Sequence, residues 1–169
     1  MQTQKRQQGF SLIELLIVVA IIGIIAAIAI PNLLSSRRAA NEGSAQSTMR
    51  MLTSAEATYQ ATTGGGAYGN LAALRTANLI DQAVADADSS SVTAAKSGYI
   101  FNVATVAAVA ATGTQAGYTS SARPSTISGV SQTGTRRFYS DQTGVIRADT
   151  TLGADYTTNP AAGGTMLGN

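Results

Sequence analysis

The chain has no cysteine, no histidine and no tryptophan in 169 residues, and only three prolines. Without cysteine there are no disulfide staples and no thiolate nucleophiles. Without histidine there is no imidazole acid–base chemistry, and zinc sites with the usual ligand spacing are excluded. The lack of cysteine fits any compartment and so does not locate the protein. Charge is sparse too, with eleven Lys and Arg against nine Asp and Glu. Lys5 and Arg6 lie in the first nine residues, and without them the two signs balance. The other cations stand singly or in pairs, whereas phosphate binding needs them gathered on one face, which counts against nucleic acid as a main partner. No paired active-site motif, nucleotide loop or metal-ligand spacing is present, so neither an enzyme nor a bound cofactor is expected.

One long apolar run is present instead. From Phe10 to Ile30 the sequence FSLIELLIVVAIIGIIAAIAI carries a single charge, Glu14. As a helix it would span roughly 31 Å, enough to cross a bilayer. Before it stands MQTQKRQQG, polar and basic with no acidic residue, which favours keeping this end in the cytoplasm and exporting the chain beyond the helix. Arg37 and Arg38 flank the other end, so charge asymmetry alone is not decisive. A conventional signal peptide is the competing reading, with Ala27-Ile28-Ala29 as a small-x-small cleavage site and a mature chain beginning near Ile30. Against it stand the length of the run, the acid near its start, and a helical pattern that continues beyond it.

The residues Gly9-Phe10-Ser11-Leu12-Ile13-Glu14-Leu15 closely resemble the processing site of type IV prepilins and pseudopilins, and the match continues through Pro31 into Asn32-Leu33-Leu34. The resemblance implies that a membrane-bound prepilin peptidase cuts after Gly9 and methylates the new amine on Phe10. It implies a chain that polymerises with copies of itself into a helical filament. It also implies an inner-membrane assembly platform and a cytoplasmic ATPase as partners.

Physical chemistry gives several of these residues work to do. A carboxylate in a lipid-facing run costs about 2.5–3.5 kcal/mol, so Glu14 needs a partner or a proton, and the run contains no cation. Cleavage after Gly9 would create a cationic amine on Phe10, and in the family account Glu14 of one subunit pairs with that amine on a neighbour. One desolvated charge pair would fix the axial register of helices that otherwise slide at little cost. The alternative is a protonated or interface-snorkelling glutamate without function. Gly23 and Ala27 stack on one helix face and permit close helix packing. Pro31 removes a backbone donor and crowds the Ala27 carbonyl, so a kink or local unwinding is expected there. In pilins resembling this chain, the stretch between such a glycine and proline can extend in the filament.

Beyond Pro31, Ala45, Met49, Leu52, Ala55 and Tyr59 recur at three- and four-residue intervals, with Arg50, Glu56 and Gln60 placed elsewhere. That spacing predicts an amphipathic helix to about Ala61 whose apolar stripe packs on a sheet. Gly64-Gly65-Gly66 stops it; no Lys-Ser or Lys-Thr comes after, so this is not a phosphate loop. Leu71–Ile80 reads as a short helix with Leu71, Leu74 and Ile80 inward. Residues 81–91 read as an acidic loop, solvated, glycosylated on hydroxyls, or holding a cation through Asp81, Asp86 and Asp88. Four strands are expected at 98–106, 117–123, 136–140 and 145–148, the last two joined through Asp141-Gln142-Thr143-Gly144.

The expectation is an α+β type IV pilin fold, a long N-terminal helix on a four-stranded antiparallel sheet. Its parts are a cleaved leader (1–9), a transmembrane and assembly helix (10–30), and the amphipathic half of that helix (31–62). A connecting loop with a short helix (63–97), the sheet (98–148) and a C-terminal loop (149–169) complete it. GYIFNV, ATGTQAGYTSSARP and GTRRFYSDQTGVIRAD also resemble the globular region of some bacterial pilins. The C-terminal segment lacks the disulfide loop of many members, which leaves open how it is held. The expected role is a subunit, with a major pilin favoured, of a surface filament for adhesion, motility or DNA uptake. A pseudopilin of a type II secretion system is the alternative within the family, although the aspartate-rich calcium loop of a major pseudopilin is not seen. A secreted binding module is the alternative outside it.

Overall fold

A computed structural model describes residues 10–89, 94–153 and 165–166. The expected leader, including Gly9, and most of the C-terminal segment lie outside the described residues. The chain divides into two compact units, Met1–Ser36 and Arg37–Asn169.

After Phe10 and Ser11, the described part of the first unit belongs to helix α1, which begins at Leu12 and runs to Ala61. Its first turn is built from the local sequence: Glu14 accepts a hydrogen bond from the Ser11 amide at 3.0 Å, satisfying a donor that no helical carbonyl can reach. Between Leu12 and Leu33 the large apolar side chains are exposed. Pro31 sits inside the helix, and of the kink or local unwinding expected there the unwinding is absent, since the backbone is α-helical on both sides. The proline ring already holds φ near the helical value and removes one donor only, so the i→i−4 bonds of the adjacent turns carry the helix past it.

In the second unit α1 turns amphipathic. Ala45, Met49, Leu52 and Ala55 are buried in one core with Tyr99, Phe101, Phe138 and Ile146, the stripe that the three- and four-residue spacing predicts. The helix closes on the glycine run. The amides of Gly64 and Gly66 donate to the carbonyls of Tyr59 and Gln60 at 2.7 and 3.0 Å. Gly65 and Gly66 take φ of 57° and 95°, which a side chain would resist.

The next segment differs from the single helix and loop expected of it. Helix α2 covers only Leu71–Thr76, and a second short helix, α3, covers Gln82–Asp86 inside the predicted acidic loop. Asn78, at φ 56°, breaks the first helix, and Asp81 starts the next by accepting the Val84 amide at 2.8 Å. The inward residues are nevertheless those anticipated, since Leu71, Leu74 and Ile80 are buried, joined by Val84.

The sheet is an antiparallel meander of β1 (Tyr99–Val106), β2 (Gly117–Pro124), β3 (Arg137–Asp141) and β4 (Arg147–Asp149). Phe101, Ala122, Phe138 and Ala148 align in one row across these strands. All four are buried in the core that receives α1. The β3–β4 turn closes as expected, with the Gly144 amide on the Asp141 carbonyl at 2.9 Å and Gly144 at φ 74°. A two-residue fifth strand, β5 (Thr165–Met166), adds to the edge by pairing with β4. Backbone pairing is therefore one means by which the C-terminal segment is held without a disulfide.

Candidate functional site

The apolar half of α1 is the first candidate. It is the one described helix long and apolar enough to cross a membrane, and none of that stretch is buried. Phe10 precedes the helix and is 82% exposed. Glu14 lies in the first turn, bound to the Ser11 amide. A Cβ added at Gly23 would meet nothing within 4 Å, so within one chain the small residue leaves an open notch on the helix surface. Pro31 lies further along the same helix. Of the five residues singled out from the sequence, Glu14, Gly23 and Pro31 lie along the first half of α1 and Phe10 just before it, while Gly9 is outside the described residues. A helix that is apolar on all sides and unburied is suited to lipid or to other helices around it.

The acidic residues of segment 81–91 are engaged within the chain. Asp81 caps α3 and pairs with Lys96 at 3.4 Å, and Asp86 accepts from the Gln82 side-chain amide at 2.6 Å. Among the described residues no group of three metal-ligating side chains comes together.

The sequence reading missed two glutamates on the amphipathic half of α1. Glu42 is buried and fully engaged: Oε1 accepts from the Thr135 amide and hydroxyl, both at 2.7 Å, while Oε2 meets Arg136 at 2.7–2.9 Å. Burial pushes its pKa up, but the Thr135 donors and Arg136 outweigh that and hold it below the ordinary value. Arg38 and Asn41 donate to the carbonyls of Gln132 and Thr133 at 3.2 and 2.9 Å. Three side chains within two turns therefore fasten the β2–β3 connection to α1.

Glu56, expected on the polar side, has no exposed surface. Its Oε2 accepts one bond, from the Gly69 amide at 3.0 Å, and its Oε1 has no partner among the described residues. Burial raises its pKa to about 7, with only the Gly69 amide opposing. The signal that places it inside is its spacing, four residues after Leu52 and three before Tyr59, on the same side as the apolar stripe.

These features define a class: a single apolar N-terminal helix with one carboxylate in its first turn, continuing into an amphipathic half that packs on an antiparallel meander. The prokaryotic N-terminal methylation motif matches residues 4–30. The chain is 46% identical over 54 residues to the type IV major pilin protein PilA of Myxococcus xanthus, covering 32% of this chain and 24% of that protein. It is 60% identical over 38 residues to the type IV wide pilus major component PilA4 of Thermus thermophilus, covering 22% of this chain and 29% of that protein. The chain thus spans about a quarter of the length of each of these relatives. No solved structure matches significantly. The N-terminal segment is thus similar to that of type IV pilins and carries the N-terminal methylation motif, and the motif and apolar helix suit a membrane-anchored precursor.

Proposed function

We propose that this protein is the structural subunit, and the major pilin, of a type IV pilus, polymerising through the apolar half of α1. The observation that carries the proposal is the unburied run from Phe10 to Ile30 with Glu14 as its only charge. In this reading a prepilin peptidase cuts after Gly9 and methylates Phe10 while α1 anchors the precursor in the inner membrane. An assembly platform and its ATPase then extract the subunit into a surface filament used for adhesion, motility or DNA uptake. Extraction has to be driven, because lipid tails are as apolar as the neighbouring helices and burial against protein yields little.

Glu14 supplies register in this scheme. The Ser11 amide that it accepts in the free chain leaves a carboxylate with further acceptor capacity for the Phe10 amine of an adjacent subunit. The Gly23 notch admits close approach of a neighbouring helix, and the stretch from Gly23 to Pro31 is where α1 can extend, since Pro31 already lacks one backbone bond. The working parts are a leader (1–9), an assembly helix (10–30), its amphipathic continuation (31–62), a connecting segment (63–97), the sheet (98–148) and a C-terminal segment (149–169).

Mass spectrometry of the purified protein and imaging of shed fibres test the proposal together. A chain beginning at N-methylated Phe10, found in filaments that disappear in Glu14→Ala, is the expected result. A chain beginning at Ile30 would indicate a conventional signal peptide and a secreted module. Short periplasmic assemblies without surface fibres would indicate a pseudopilin.

A further inference from the structure

Glu56 takes no part in the N-terminal machinery, yet it ties two parts of the second unit together. Its single hydrogen bond ends on Gly69, the residue before the Asn70 cap of α2. The chain is close-packed at that point. A Cβ at Gly69 would come within 3.1–3.2 Å of the Tyr59 ring and the Ala73 side chain, so the entry to α2 lies directly against α1. Leu71 and Leu74, immediately downstream, are buried in the core.

The surroundings of the carboxyl favour its neutral form. On its own helix the nearby titratable group is Tyr59, whose ring covers Gly69. On the α1–α2 connection it is Tyr68, and on β2 it is Tyr118, whose rings pack at 4.8 Å. Burial pushes Tyr118 up to about 12 against an opposing hydrogen bond with the Thr53 side chain, so it stays a neutral hydroxyl. Among the described residues no Lys or Arg pairs with Glu56. A carboxylate here would hold one N–H donor and leave its other oxygen dry, whereas a carboxylic acid, with only a neutral hydroxyl left without an acceptor, loses less.

We infer that Glu56 is a proton-operated latch: as the acid it holds Gly69 and the entry to α2 against α1, and on ionising it loosens that segment. The direction comes from linkage. The proton is bound more tightly in the closed state, with a pKa of about 7, than at the ordinary value of 4.5. The hold is therefore complete in acid, weakens as pH rises from that ordinary value towards neutrality, and changes no further above it.

Amide hydrogen exchange of the full chain in detergent micelles, corrected for intrinsic rates, reads the latch. Across residues 64–80 the opening constant is expected to rise about tenfold per pH unit below neutrality and to level off above it. Amides of β2 and β3 should keep constant protection. In Glu56→Gln, which cannot ionise, the rise should vanish. Equal pH dependence in both proteins, or a flat wild-type profile, would overturn the proposal. Infrared spectroscopy of the wild type with carboxyl-labelled glutamate provides a reading independent of any variant. A protonated carboxyl band that persists at pH 6 and disappears around pH 7 supports the latch, and its absence at pH 6 refutes it.

Discussion

The two halves of α1 meet the same problem, an acidic side chain placed among apolar neighbours, and resolve it differently. In the first half Glu14 lies in a run whose large apolar side chains are exposed, and it takes its hydrogen bond from the Ser11 amide one turn back. In the second half Glu42 is satisfied from a distant loop by Thr135 and Arg136, and Glu56 keeps a single amide. Burial alone therefore does not say what a carboxylate does. The donors that the fold brings to it decide whether it stays charged, as Glu42 does, or takes up a proton near neutrality, as Glu56 does.

Variants of these residues break the comparison in graded steps. The largest effect is expected from Glu14→Ala, which removes the proposed register contact in the first half. Filament yield should fall to background while the amount of membrane-inserted precursor stays constant, as measured by shear fractionation and immunoblotting. In the second half Met49→Ala and Leu52→Ala remove fully buried side chains from the core. Each should lower the stability of the globular region by about 2–5 kcal/mol, seen in thermal unfolding, with the proposed processing after Gly9 unaffected.

The two buried glutamates sharpen the contrast further through opposite pH slopes. Wild-type protein should lose about 2–3 kcal/mol between pH 5 and pH 8 through Glu56, because its raised pKa makes ionisation costly, and Glu56→Gln should abolish that loss. Glu42 has a lowered pKa, so its contribution is present above the ordinary value of 4.5 and is lost as pH falls below it. Glu42→Gln should cost about 1–3 kcal/mol at pH 7, a modest figure because the Arg136 side chain is 41% exposed. The same substitution should flatten the acid limb of the stability profile. The smallest effect belongs to the surface pair Lys96–Asp81, where Lys96→Ala should cost less than about 1 kcal/mol.

Features that rest on local periodicity or on a single covalent constraint were legible in the chain itself. The apolar run, its lone Glu14, the three- and four-residue stripe through Met49 and Leu52, the glycine stop after Ala61 and the Asp141–Gly144 turn all arise from backbone chemistry acting over a few residues. The break between α2 and α3 was harder to see, because it depends on Asn78 taking a positive φ and on Asp81 finding an amide to cap.

Sequence by itself determined that one long helix would be apolar in its first half and striped in its second, because side-chain spacing along a helix is fixed by its pitch. Only the tertiary structure decided the fate of Glu42 and Glu56. Their partners, Thr135, Arg136 and Gly69, are set by how the β2–β3 connection and the entry to α2 return to α1. A carboxyl's charge state depends on donors and desolvation that the chain supplies only once it has folded.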